Sequence, residues 1–263
     1  MNIGKIGSEA IGVVQNTAQK AIAKISKEVP KSEFTPQCWS YTMPYEVYTA
    51  KKNRYVQKLY ETYFDKDGKV IPEIKKFLDE TVFDMKIGGG KTEKCVSSTI
   101  KNHISSSIHD IETINEELFH GALYPDLILE NGFDPKFIVR THLGPGFYFS
   151  GEGEAREYGS VIAAKIRNEG AKCAKADDRF YEGVSSGKTA QKLSGFLGFD
   201  SSKYSEETRL QQEFIPKIIN EYSRDFIVNE LGIDVLRGYG GATPFDYCTC
   251  VLNPKIFESV YAH

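Results

Sequence analysis

The sequence predicts an α+β protein. Three features predict it: helical periodicities through the first 110 residues, short apolar runs between Gly-rich turns beyond them, and a long amphipathic stripe lodged between the last two runs.

From Ser8 to Val29, Ile11, Val14, Ala18, Ala21, Ile22 and Ile25 recur at spacings of three and four, which describes an amphipathic helix that Pro30 ends. A second helical pattern runs through Tyr45, Tyr48, Tyr55, Leu59 and Tyr63, and a third begins at Pro72, a residue suited to a first helical turn. After the Gly88-Gly89-Gly90 break, a further helix is expected from about Ser97 to Asn115. Strands are then expected at Glu117 to His120, Phe147 to Ser150, Val161 to Ile166 and Tyr247 to Leu252. Between the last two, Ser205 to Leu231 carries a stripe of Phe214, Ile215, Ile218, Ile219, Tyr222 and Phe226, read as core packing. Pro216 lies inside that stripe and predicts a kink or a split there.

Composition narrows the classes. An apolar content of 40% and an aromatic content of 12% suffice to bury a core. A net charge of -3 gives no electrostatic reason to expect a nucleic-acid partner. Cys38, Cys95, Cys173, Cys248 and Cys250 lack the even, dense spacing of a disulfide framework, and their spacing matches no zinc site, so reduced thiols and no metal are expected. No run approaches the roughly 20 apolar residues of a membrane span or has the form of a cleaved signal peptide. A soluble protein is expected, with export from a bacterium by an uncleaved signal still open.

Two segments carry chemistry. In Phe119-His120-Gly121-Ala122-Leu123 the residue after the histidine has no side chain, so its backbone amide and carbonyl can be approached closely by a planar amide. Gly144-Pro145-Gly146-Phe147-Tyr148-Phe149-Ser150 leads to Ala155 and Tyr158-Gly159. A strand tyrosine and a helix tyrosine at that spacing can hold a flat ring between them.

In order, His120-Gly121, Asn131-Gly132-Phe133, Gly144-x-Gly146-Phe147-Tyr148 and Ala155 followed by Tyr158-Gly159 resemble the NAD-binding core of the diphtheria-toxin and poly(ADP-ribose) polymerase group of ADP-ribosyltransferases, the bacterial toxins above all. The family's late strand begins with Glu. The corresponding place here is Phe245-Asp246-Tyr247, with an exit at Asn253-Pro254-Lys255-Ile256 similar to the family's. The resemblance spans roughly residues 117 to 260 apart from the helical insertion. It implies an ADP-ribosyltransferase fold of split, mainly antiparallel sheets at 111–263, with an insertion at about 175–230, preceded by a helical region at 1–110.

The implied activity is mono-ADP-ribosyl transfer, a glycosyltransferase reaction: NAD is the substrate, nicotinamide leaves, and a protein side chain accepts ADP-ribose, on a host protein if the chain is a secreted bacterial effector. Nicotinamide departs as positive charge develops on the ribose, so the site needs a held carboxamide, a stacked ring and a nearby carboxylate. On the resemblance, the Gly121 backbone holds the carboxamide and His120 bonds a ribose hydroxyl. Tyr148 and Tyr158 flank the nicotinamide, Phe147 and Ala155 complete the NAD-binding set, and Asp246 accepts from the ribose 2′-hydroxyl. Asp246 is one methylene shorter than the family's Glu, an arrangement similar to the His-Tyr-Asp of rifampin ADP-ribosyltransferases. Ala155 replaces the Ser of polymerase-like members, and no Glu-x-Glu of arginine-specific members is present.

Two alternatives stand beside this. A non-catalytic NAD or ADP-ribose binding module is suggested by the Asp at the Glu position. A cysteine hydrolase centred on Cys38 is suggested by Gln37-Cys38-Trp39-Ser40. The Gly-rich runs ending at Lys91-Thr92 and Lys188-Thr189 miss phosphate-loop spacing. The basic stretch Lys165, Arg167, Lys172, Lys175 and Arg179 reads as a solvated face.

Overall fold

The computed structural model describes residues 45–86, 95–135, 138, 142–178, 180–185, 187–199, 205–239 and 247–263. The expected helix at Ser8 to Val29, the Cys38 motif, the Gly88-Gly89-Gly90 break and Asp246 lie outside the described residues. The class is α+β, with antiparallel and mixed sheets beside several helices. The chain divides into two compact units, Met1–Leu78 with Gly187–Ile218, and Asp79–Ser186 with Ile219–His263. This differs from a boundary at residue 110: the strands of the second unit begin well before it, and part of the insertion belongs with the N-terminal helices.

In the first unit, α1 (Tyr45–Tyr63) turns back through an Asp65–Gly68 bend into α2 (Pro72–Glu80). The carboxylate of Asp65 caps the bend by accepting from the amides of Asp67 and Lys69, and Gly68 supplies the positive φ of 74°. Against them lie α7 (Gly187–Phe196) and the start of α8 (Glu206–Asp225). Phe214 meets Tyr60 edge-on at 4.8 Å and Phe77 stacks on Phe196 at 4.0 Å, so aromatic packing closes this core. Pro216 neither splits nor ends α8. Leu210, Phe214, Ile215, Ile218, Ile219 and Tyr222 are all buried on both sides of it, and that continuous apolar stripe outweighs one missing amide.

The second unit begins with an antiparallel pair, β1 (Val82–Lys86) and β2 (Cys95–Thr99), and α3 (Ile100–Ser106), which the Thr99 hydroxyl caps. The expected helix from Ser97 to Asn115 is therefore corrected to strand, one short helix, and β3 (Ile108–Ile114). Asp110, at φ 49°, interrupts the β3 register and hides its alternation from the sequence.

Two sheets follow. One is β4 (Glu117–Ala122), β6 (Ser160–Ile166) and β10 (Phe257–Ala262), in the order β10-β6-β4. The other adds β5 (Phe147–Phe149), β7 (Ala171–Ala176), β8 (Val235–Tyr239) and β9 (Tyr247–Val251) to β3, in the order β3-β7-β8-β9-β5, with β7 and β8 parallel. Between β4 and β5 run α4 (Pro125–Asn131) and a turn; between β5 and β6 lie α5 (Glu152–Ala155) and a 3-10 turn, Arg156–Tyr158. After β7 comes α6 (Phe180–Val184), and a π-turn, Phe226–Glu230, follows α8.

Phe133, Phe149, Ile162, Ala164, Ile166, Val235 and Val251 bury one core shared by both sheets, with Phe147 and Phe257 at its margin. Among the described residues no helix is long and apolar enough to cross a membrane.

Candidate functional site

The site lies in the second unit, where the edge of β4 meets the edge of β5. A single bridge joins them: the Ser150 amide donates to the Phe119 carbonyl at 3.0 Å. That bond fixes which way the β4 backbone points. Main-chain groups alternate between the two edges of a strand, so Gly121, two residues past Phe119, turns its N–H and C=O toward the same edge. The partner strand agrees. Val161, opposite Gly121, gives its carbonyl to the His263 amide on the β10 side, which leaves the Gly121–Val161 pair without mutual bonds.

Glycine is required at 121 for a reason the sequence did not disclose. A Cβ there would fall 2.7 Å from the Tyr158 Cβ and inside contact with the Ala155 carbonyl oxygen. The α5 segment and its 3-10 turn thus form a wall directly over Gly121, with Ala155 fully buried and Tyr158 exposed. Gly159, at φ 137°, continues the wall against the Ala122 carbonyl, 2.5 Å from where its own Cβ would be.

His120 faces the opposite side of β4. Its ring meets Phe133 edge-on at 5.4 Å and Phe149 at 5.5 Å. Nδ1 lies 2.8 Å from the Tyr148 carbonyl. A carbonyl only accepts, so Nδ1 carries the proton, and the neutral ring presents Nε2 as an acceptor. Burial of the ring holds its pKa below the ordinary histidine value, opposed by that one bond, so the neutral form prevails at pH 7. Nε2 has no hydrogen-bond partner among the described residues.

Tyr148 works through two ends. Its carbonyl takes the His120 proton, while its hydroxyl accepts from the amides of Leu143 at 2.9 Å and Gly144 at 3.2 Å and donates to the Gly144 carbonyl at 3.1 Å. The hydroxyl thereby closes the Leu143–Gly146 turn that leads into β5. Burial pushes its pKa well above the usual tyrosine value, so it stays a neutral donor. Gly146 lets this turn lie against β9, since a Cβ there would come 2.7 Å from the Cys250 Sγ. The Cys250 thiol, itself raised by burial, points at the Gly144 carbonyl 3.6 Å away.

The fold brings His120, Gly121, Tyr148, Ala155 and Tyr158 to one seam. Phe147 alternates away from Tyr148 and packs on Phe133 at 5.0 Å, at the margin of the shared core. Asp246 immediately precedes Tyr247, the first residue of β9, whose Cys250 pairs with Tyr148.

Sequence reasoning missed the turn clamp, for which the Gly-x-Gly before Tyr148 was the available signal. It also missed Glu152, which binds both Arg156 at Nε, 3.2 Å, and the His263 ring, 3.3 Å, beside the Phe119 ring. Among the described residues no cluster of His, Cys, Asp and Glu is arranged to hold a metal ion. Compared with protein-family models, curated proteins and solved structures, the chain matches none.

Proposed function

We propose that the chain is a mono-ADP-ribosyltransferase that takes NAD as substrate, releases nicotinamide and passes ADP-ribose to a protein side chain, with a host protein as acceptor of an exported bacterial effector. The observation that carries the reading is the seam between β4 and β5. A glycine there turns toward the edge a main-chain donor and acceptor with no partner among the described residues, beside a neutral histidine with an acceptor nitrogen. A carboxamide needs that donor–acceptor pair, and a ribose hydroxyl needs that acceptor. Two sheets meeting at one bridge, with the motif residues at the meeting point, support the ADP-ribosyltransferase fold as the finer description.

On this reading Gly121 orients the carboxamide and the exposed Tyr158 ring lies along the nicotinamide. His120 accepts from a ribose hydroxyl through Nε2. The bond from ribose C1′ to the nicotinamide nitrogen breaks and its electron pair leaves with neutral nicotinamide. Asp246 carries the negative charge that stabilises the cationic ribose, and the acceptor side chain adds to C1′ and loses its proton. Tyr148 positions the seam rather than touching substrate through its hydroxyl, which the turn already occupies.

The test is incubation of purified protein with NAD and a eukaryotic lysate, with nicotinamide measured by chromatography and ADP-ribosylated sites by mass spectrometry. Nicotinamide release and labelling that both vanish in Asp246→Ala support the reading; labelling that survives in that variant overturns it. The shorter side chain at 246 favours, as second reading, a module that binds NAD without cleaving it, which calorimetry would reveal as binding without nicotinamide release.

A further inference from the structure

Beside the seam the surface changes character. Leu123 is 80% exposed, Tyr124 73% and Leu127 54%, and Tyr158, on the wall above Gly121, is 39% exposed. Leu123 and Tyr124 immediately precede α4 and Leu127 lies in its first turn, so the three exposed side chains cluster at the N-terminal end of that helix. The ridge is continuous with the wall, because a Cβ on Gly159 would lie 3.3 Å from the Leu123 amide nitrogen. Large apolar side chains at this exposure in sequence neighbours are unusual for a surface with no partner.

The charges in the two segments that carry the ridge are mainly negative. Asp126 and Glu130 lie on α4, and Glu154 and Glu157 on the segment that forms the wall over Gly121. Arg156 is the one Lys or Arg in segments 123–131 and 152–159, and Glu152 already binds it. Such a rim repels an anionic lipid surface and a nucleic-acid backbone alike, and attracts Lys and Arg.

We propose that Leu123, Tyr124 and Leu127, with Tyr158, form the docking surface for the acceptor protein, which presents an apolar side chain flanked by lysine or arginine. The inference rests on the transferase reading, and it narrows the acceptor to proteins carrying such a segment next to the modified residue. The apolar centre supplies affinity and the acidic rim supplies selection and approach rate.

The test uses the full chain and two synthetic 18-residue peptides: an amphipathic helix of leucine and lysine, and a control with serine for every leucine at equal charge. Fluorescence anisotropy should give the leucine peptide an affinity at least about tenfold higher. Leu123→Ser/Tyr124→Ser/Leu127→Ser should abolish that preference, and Asp126→Lys/Glu130→Lys should remove the salt-sensitive part of binding. Because these side chains are exposed, thermal unfolding should match the parent, and nicotinamide release without a protein acceptor should be unchanged in the triple variant while protein labelling falls about tenfold.

Equal binding of both peptides, or binding indifferent to the triple variant, overturns the proposal. So does a raised KM for NAD with labelling otherwise intact, which assigns the ridge to the dinucleotide, and so does a parent dimer that the triple variant renders monomeric. A parent protein that never releases nicotinamide sinks the transferase reading, while the peptide comparison still decides the surface.

Discussion

The imidazole of His120 donates through Nδ1 to the carbonyl of Tyr148, 2.8 Å away, and thereby joins the edges of two sheets by a side chain where backbone pairing stops. The bond fixes the tautomer and, with burial, the charge. Both follow from one contact.

A pH dependence follows from it. The folded pKa of His120 lies below the unfolded one, so the unfolded chain binds the proton more readily. Its contribution to stability is therefore full above the unfolded value, about 6.5, and is lost as pH falls through the folded value. The drop in Tm between neutral pH and pH 5 should be smaller in His120→Gln than in the parent. NAD affinity in the parent should weaken over the same acid range, as Nε2 gains a proton and stops accepting. An affinity flat across that range, measured by calorimetry, would contradict the assigned role.

Tyr148→Phe should uncouple the turn from β5. It removes three hydrogen bonds and leaves the Leu143 and Gly144 amides without their acceptor, at a cost of about 1–3 kcal/mol. Urea unfolding reads the stability loss. If the hydroxyl acts by position alone, nicotinamide release falls with the same pH profile as the parent.

Gly121→Ala should be harmful for packing before any question of ligand arises. Its Cβ meets the Ala155 carbonyl and the Tyr158 Cβ, an overpacking worth about 1–3 kcal/mol. Gly153→Ala, in the same wall but with open space where the Cβ would go, is the matched control. Thermal melts of the pair should separate clearly.

Asp246→Asn keeps size and removes charge. NAD binding should persist and nicotinamide release should fall on the order of 10²-fold or more. Asp246→Glu, which adds the methylene, should retain release. Loss of NAD binding in both variants would mean that the residue holds substrate rather than stabilising charge.

The parts of the fold legible in the sequence were those whose pattern was apolar and bounded by glycine. β4, β5, β6 and β9 appear within a residue or two of where the apolar runs place them. β7 escaped because Lys172 and Lys175 fall on its exposed positions, so a strand buried on its other positions read as a basic surface run. β3 escaped through its register shift at Asp110, and β8 through the glycines around it. The site was legible as motifs in order, because glycines and a histidine at a strand end are local in the chain. What they do was not. The wall over Gly121 depends on segments that meet only in space, Gly121 and Tyr158 lying 37 residues apart, and the clamp by the Tyr148 hydroxyl, only four and five residues back along the chain, depends on how the turn between them folds.

The bridge from Ser150 to Phe119 has a practical consequence. An isolated rung has no neighbouring rungs to share its protection, so the Ser150 amide exchanges with solvent whenever the two edges part, at a lower opening energy than amides inside β6 or β9. Its deuterium uptake is thus a built-in gauge of how often the molecule breathes at this line. Any small molecule that straddles both edges should slow that uptake, even one that never reacts.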